Sequence, residues 1–212
     1  MVNENDMGIF EVMYNCRAMR RLSSKEVPEA DLLKLIEAAG QAPSGSNTQR
    51  RRWIIVRDAE QKKQIAALNR QASAAYVEGR IARGESLPHH DAATRKRMLE
   101  AVLWLAEHMQ DIHALIVACY EFDAKPSTEE RAGVQSSVWP GVQNLLLAAR
   151  ALGLGAVLTT YALRDYDAFA NVLNLPDTIG AYALIPVGYP LGKFGPVTRL
   201  PVAEVTRFDR WH

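Results

Sequence analysis

Two cysteines, Cys16 and Cys119, are all the chain has in 212 residues, and they form no CxxC pair. A disulfide framework is therefore not expected, and a reducing, cytoplasmic setting fits. Charge of one sign is lacking too. The 25 Lys and Arg nearly balance the 24 Asp and Glu, so no field argues for nucleic acid or an anionic membrane as partner. The triplets Arg50-Arg51-Arg52 and Arg95-Lys96-Arg97 are too short to change this and read as solvated faces. No apolar run approaches ~18 residues, so no membrane span is predicted. The polar, acidic residues 1–6 lead into no signal-peptide core. His89 and His90 are adjacent, and His108 and His113 do not share a helix face, so no metal site is expected. No GxSxG or Cys/His arrangement points to hydrolysis, and no Walker A pattern exists. Gly153-Leu154-Gly155 is an incomplete GxGxxG that follows a helix pattern, and reads as a helix C-cap.

What is present is a chain long enough for one full core, expected as a single domain over residues 1–212. Helical spacing of Ile9, Val12, Met13 and Cys16 predicts a first helix over residues 9–19. A second opens near Pro28 and carries the stripe Leu32, Leu35, Ile36 and Ala39. Trp53-Ile54-Ile55-Val56 reads as a strand, and Asp58 with Gln61 as a capping box for a third helix. Residues 70–97 are polar and read as a helical excursion with a mobile loop, after which a helix pattern returns to Met109. Residues 112–120 and 179–187 are buried-strand candidates. Between them lies a long buried helix over 134–152, its start open to a shift toward Ser137 because of Pro140. A further strand over 156–160 and a short helix over 166–173 are predicted. The tail after Gly188 is rich in Gly and Pro, yet Phe194, Val197, Leu200, Val202, Val205, Phe208 and Trp211 favour packing over fraying. The sum is α+β, with helices around four or five short strands.

Two stretches carry chemistry. Arg17, Arg20 and Arg21 cluster at the end of the first predicted helix. Guanidinium groups bind a phosphate monoester bidentately, or they complement a helix C-terminus. Residues 42–49, Ala-Pro-Ser-Gly-Ser-Asn-Thr-Gln, join a helix to a strand. Gly45 permits close backbone approach, and Ser44, Ser46, Asn47 and Gln49 donate and accept along the edge of a flat heterocycle. The same residues also suit an ordinary polar connection.

In order along nearly the whole chain, the pieces resemble one family, the FMN-dependent nitroreductase-like flavoproteins. The resemblance is carried by Arg17-Ala18-Met19-Arg20-Arg21-Leu22, Val27-Pro28, the 42–49 stretch, Val56-Arg57-Asp58, residues 142–153, Val187-Gly188-Tyr189-Pro190 and Thr198-Arg199-Leu200-Pro201. Three departures stand out. Cys16 replaces the first of two common arginines, Ala18 a common serine, and Arg50-Arg51 the common Pro-Trp after Gln49.

The resemblance implies a nitroreductase-like fold: a short-stranded central sheet flanked by helices, in an intertwined homodimer with an extended C-terminal tail. It implies FMN at the dimer interface and NAD(P)H as electron donor. Arg17, Arg20 and Arg199, with Arg21, would surround the FMN phosphate and ring edge. Pro43, Ser44, Gly45, Ser46, Asn47 and Gln49 would line the ring from the partner subunit. Leu158, Thr159 and Thr160 match the segment whose backbone approaches flavin N5. Residues 70–112 would be a variable lid. The implied activity is ping-pong reduction of a nitroaromatic, quinone or related small acceptor. Two alternatives stay open: other flavin chemistry on the same fold, such as flavin fragmentation or reductive dehalogenation, and non-catalytic flavin binding. No side chain is singled out as an acid–base catalyst.

Overall fold

The two long apolar runs pair with each other at the centre of the molecule. The computed structural model describes residues 7–84 and 91–211, so His89 and His90 lie outside the described residues. Strands β1 (Arg51–Val56), β2 (Ala114–Glu121), β3 (Gly155–Ala156) and β4 (Ile179–Gly188) form an antiparallel sheet of order β1-β2-β4-β3. β2 is central because both of its faces are apolar. Ala114, Ile116, Ala118 and Tyr120 enter one core cluster, and Leu115, Val117 and Cys119 the other. Its register with β4 slips between Ala118 and Cys119, which face Ala183 and Ala181. Tyr182 is thus the extra residue of a bulge, and both Tyr182 and Ala183 turn into the first cluster.

Helices cover each face. After α1 (Ile9–Asn15), α2 (Glu29–Gly40) lies on the first face, with Leu32, Leu35 and Ala39 buried as the stripe predicts. The second face takes α3 (Ala59–Ala82), against which α4 (Ala92–His108) packs. The short α5 (Thr128–Gly133) leads into α6 (Gln135–Ala151), which lies beside α2. α7 (Tyr166–Val172) closes the second face through the wholly buried Phe169, and α8 (Val202–Val205) is a single turn in the tail. Among the described residues no helix is long and apolar enough to cross a membrane.

Local signals explain several boundaries. The Asp58 carboxylate accepts the Gln61 N–H at 2.9 Å and caps α3. The Gln61 carboxamide does not close the box; it donates to the Val172 carbonyl at 3.4 Å and ties α3 to α7. α6 begins at Gln135, without the shift toward Ser137, and holds Pro140 inside it. The missing donor affects only the Ser136 carbonyl, on an exposed residue where water can substitute. α6 ends in a Schellman motif: the Gly153 N–H donates to Arg150 at 3.1 Å and the Leu154 N–H to Ala149 at 2.8 Å. Gly153 has φ +73°, as that cap requires.

Two expectations are revised and two are met in part. α1 stops at Asn15 instead of running to Met19, because the next residues are claimed by the sheet's edge. The Met19 N–H donates to Ala156 at 3.1 Å, Leu22 bridges Pro190, and Met19 and Leu22 are buried. β3 covers two residues where 156–160 was expected; Thr159 returns to β4 through one bridge to Leu184. The 70–97 stretch is helical as expected, with α3 continuing to Ala82 and Asp91 capping α4, but it also joins a small core of Val77, Leu99 and Val102 between the two helices; the expected loop falls largely on residues 85–90, outside the described residues. Within one copy of the chain, the tail packs in its first part. Phe194 lies under the Arg150 guanidinium at 4.1 Å, and the Val197 N–H donates to Tyr14 at 2.9 Å. Beyond it, Phe208 and Trp211 are 81% and 84% exposed.

Candidate active site

The edge position of residues 16–22 decides where the arginines go. Arg17 and Arg20 leave this segment into one cavity of about 600 Å³, joined by Thr94 and Arg97 from α4 and by Arg199 from the tail. An adjoining cavity of about 340 Å³ is rimmed by Arg17, Arg20, Arg21, Arg97, Glu100 and Lys193. Arg20 reaches a third, narrower cavity of about 160 Å³, shared with Asn69 of α3 and with Leu158, Thr159, Thr160 and Tyr161. The sequence-predicted arginines and the 158–160 segment are therefore brought together, with Arg20 common to all three spaces.

Among the described residues, no carboxylate forms a salt bridge with Arg17, Arg20, Arg97 or Arg199. Burial pulls the Arg20 guanidinium below its ordinary pKa, an effect opposed by the nearby Tyr161 and Tyr76 hydroxyls. The two tyrosine rings stand 5.3 Å apart. Burial pushes the Tyr161 hydroxyl up, with Tyr76 adding to the rise and Arg164 and Arg20 resisting it. Cys16 also lines the larger cavity. Burial raises its thiol against the pull of Arg150 and Arg199, and it donates weakly to the Leu146 carbonyl at 3.5 Å.

The backbone at 159–160 divides its roles. The Thr159 N–H donates to Leu184 at 2.8 Å, so it is committed to the sheet. The Thr160 N–H has no hydrogen bond within the described residues. The 43–49 stretch lines none of these cavities. It is a turn containing Gly45–Asn47, largely exposed, with Ser46, Asn47 and Gln49 at φ 50°, 52° and 52°.

A family model described as the nitroreductase family matches residues 15–189. The chain belongs to the nitroreductase family. It is 29% identical to an iodotyrosine deiodinase of Thermotoga neapolitana, over 86% of this chain and 88% of that protein. It is 30% identical to an NADH dehydrogenase of Thermus thermophilus, over 89% and 90%. A crystal structure of oxidised iodotyrosine deiodinase bound to FMN and 3-iodo-L-tyrosine superposes with a TM-score of 0.73 at 24% identity, over 96% of this chain and 100% of that one. The nitroreductase fold seen in that neighbour is the fold described above.

Two pocket residues of this nitroreductase-family chain escaped the sequence reading. Asn69 is 1% exposed, and its Oδ1 accepts the Thr159 hydroxyl at 3.4 Å. Its signal was available: Ile65, Asn69, Ser73 and Val77 follow one another at four-residue spacing, two polar residues set in an apolar stripe. Arg97 was read as part of a solvated triplet. Its own helix leaves it exposed, and only the approach of α4 to residues 16–20 makes it a wall of the cavity.

Proposed function

We propose that the chain is an FMN-dependent oxidoreductase that takes hydride from NAD(P)H and reduces a nitroaromatic, quinone or related small acceptor by a ping-pong mechanism. The observation that carries this reading is the convergence of Arg17, Arg20, Arg97 and Arg199 on one cavity, with no carboxylate salt-bridged to them among the described residues. A phosphate monoester is close to a dianion at neutral pH and suits such a donor set. Arg17, Arg199 and Arg97 would hold the phosphate, with Arg21 at the rim. Arg20, Asn69, Leu158, Thr159 and Thr160 would receive the ring. When bound, FMN supplies the hydride and electron chemistry, which no side chain here provides.

The chain's own residues then bind, orient and set charge. Arg20 brings a positive charge into a largely desolvated place, where it favours negative charge arriving beside it. Asn69, fixed by Thr159, and the Thr160 amide offer donors toward the same space. Pro43, Ser44, Gly45, Ser46, Asn47 and Gln49 line none of these cavities and are largely exposed, which supports their serving the flavin of a second copy. The exposed Phe10 and Tyr14 of α1, with Val202, Val205, Phe208 and Trp211 of the tail, supply apolar surface for such a homodimer. The second half of α3 and α4 would act as the lid. The two unpaired cysteines support a cytoplasmic setting.

The test is an absorption spectrum followed by anaerobic titration with NADPH and then NADH. Flavin bands near roughly 370 and 450 nm that bleach on titration are expected. A colourless protein that takes up no FMN would sink the proposal. The deiodinase relative favours a second reading, reductive dehalogenation of a halogenated aromatic. Nitroaromatic turnover with NAD(P)H supports the first, and iodide release from an iodotyrosine, without nitroaromatic turnover, supports the second.

A further inference from the structure

The first residue of β1 is a cation in a buried place. Arg51 is 8% exposed, and no carboxylate pairs with it among the described residues. Its guanidinium spans four backbone carbonyls. Nη1 donates to Pro43 at 2.9 Å and Ser137 at 2.6 Å, and Nη2 to Ala42 at 2.5 Å and Gly40 at 3.5 Å. Gly40, Ala42 and Pro43 lead from α2 into the 43–49 turn, whereas Ser137 lies in the first turn of α6. Gly141 makes the room: a Cβ there would stand 3.0 Å from Arg51 Cδ and 3.1 Å from the Ala39 carbonyl. Ser137 adds a second tie, its Oγ accepting the Gly45 N–H at 3.0 Å.

The turn held this way needs holding. Ser46, Asn47 and Gln49 all occupy the left-handed region, and such a conformation persists only where its surroundings over-determine it. Inside the turn, the Gln49 N–H donates to Ser44 Oγ at 3.1 Å. Arg52 Nη1 donates to the Gln49 carbonyl at 3.1 Å and Thr48 Oγ1 lies 3.5 Å from the Tyr120 hydroxyl, but both sit at its end, and the entry to the turn is held from beneath by Arg51 and Ser137. Arginine is suited to the task, since its planar fork carries five donors.

We propose that Arg51 is a positioning residue that holds the 43–49 turn in the conformation that meets the flavin ring. The role rests on the reading that this turn contacts FMN, whereas the clamp itself does not. Arg51→Met removes the fork and Arg51→Lys keeps the charge with fewer donors. Gly141→Ala crowds the fork without removing it.

Each variant is measured by hydrogen–deuterium exchange of peptides covering residues 43–49 in ligand-free protein, and by FMN titration for Kd. Arg51→Met is expected to speed exchange at the Gly45 and Gln49 amides by about tenfold or more while β2 and β4 keep their protection, and to weaken FMN by about tenfold or more. Arg51→Lys should fall between, and Gly141→Ala should resemble Arg51→Met. If Arg51→Met does not fold, the other two variants carry the same expectations. Unchanged exchange in the turn overturns the clamp. Faster exchange with unchanged FMN affinity overturns the positioning role and leaves a structural one. A wild-type protein that binds no FMN overturns the flavin reading and the role with it, and the exchange data, which need no FMN, tell that failure from a failure of the clamp.

Discussion

Gly155→Ala perturbs the seam on which the arginine pocket hangs. A Cβ at position 155 would lie 2.6 Å from Leu22 Cδ2, 3.0 Å from Met19 Cβ and 3.3 Å from Pro190 Cβ. The Leu22 methyl can rotate away, but Met19 Cβ and Pro190 Cβ move only with their backbones. Overpacking of this kind costs about 1–3 kcal/mol. For a chain of this size each kcal/mol lowers the melting midpoint by roughly 2–4 °C, so a fall of roughly 2–12 °C is expected. The shift displaces residues 19–22, which are pinned by the Met19–Ala156 hydrogen bond and the Leu22–Pro190 bridge. Arg20 moves with them, and FMN binding should weaken as well. Gly153→Ala is the control. Nothing lies within 4 Å of its Cβ, and only the φ of +73° resists the change, at about 1 kcal/mol. It should lower the midpoint slightly and leave FMN affinity intact. Differential scanning fluorimetry and a flavin fluorescence titration read both variants. A Gly155→Ala protein with wild-type midpoint and FMN affinity would refute the reasoning, as would a Gly153→Ala protein that loses FMN equally.

Phe169→Ala should cost about 3–5 kcal/mol in guanidinium unfolding, since the ring is wholly buried between α7, α3 and the sheet. Arg20→Gln should weaken FMN by roughly 10–100-fold, from the loss of a desolvated charge-assisted contact. The exposed Arg97→Gln should cost roughly fivefold or less, and should lose even that at high salt; equal effects would contradict the burial difference. Burial pushes the Cys119 thiol up to about 12 from 9.0, and the Tyr182 hydroxyl up to about 12 from 10.0. The folded state then keeps protons that the unfolded chain releases, so this stability is full below about pH 9 and is lost as pH rises toward about 12. Urea midpoints should fall across that window, less steeply in Cys119→Val, and a flat profile between pH 9 and 11 would contradict the assignment.

The parts of the fold that were legible are those whose environment is uniform along the chain. β2 and β4 are apolar on both faces, and α2 carries a single stripe, so runs and periods suffice to find them. The expected α1 is too long because the spacing of Ile9, Val12, Met13 and Cys16 says nothing of what the following backbone pairs with. The Met19 backbone N–H instead donates to Ala156, more than 130 positions away. Arg17 and Arg20 stand out as a local cluster, whereas Arg199 comes only from motif resemblance, and nothing in the local sequence says that it meets them. Arg97 and Asn69 were missed because one looks like surface and the other like helix interior until α4 and Thr159 are in place.

Residue order alone settled the helix stripes, the Asp58 cap, the Gly153 helix stop and the buried strands, because each depends on neighbours within a turn or two of chain. Tertiary structure alone decided which charges are desolvated. Arg51 and Arg52 are adjacent, yet Arg52 meets Glu121 near solvent while Arg51 is enclosed by α2 and α6. The difference comes from strand alternation, which sends successive side chains to opposite faces, and from a glycine 90 residues later that leaves space for a guanidinium. Whether a charge is solvated depends on what packs above it.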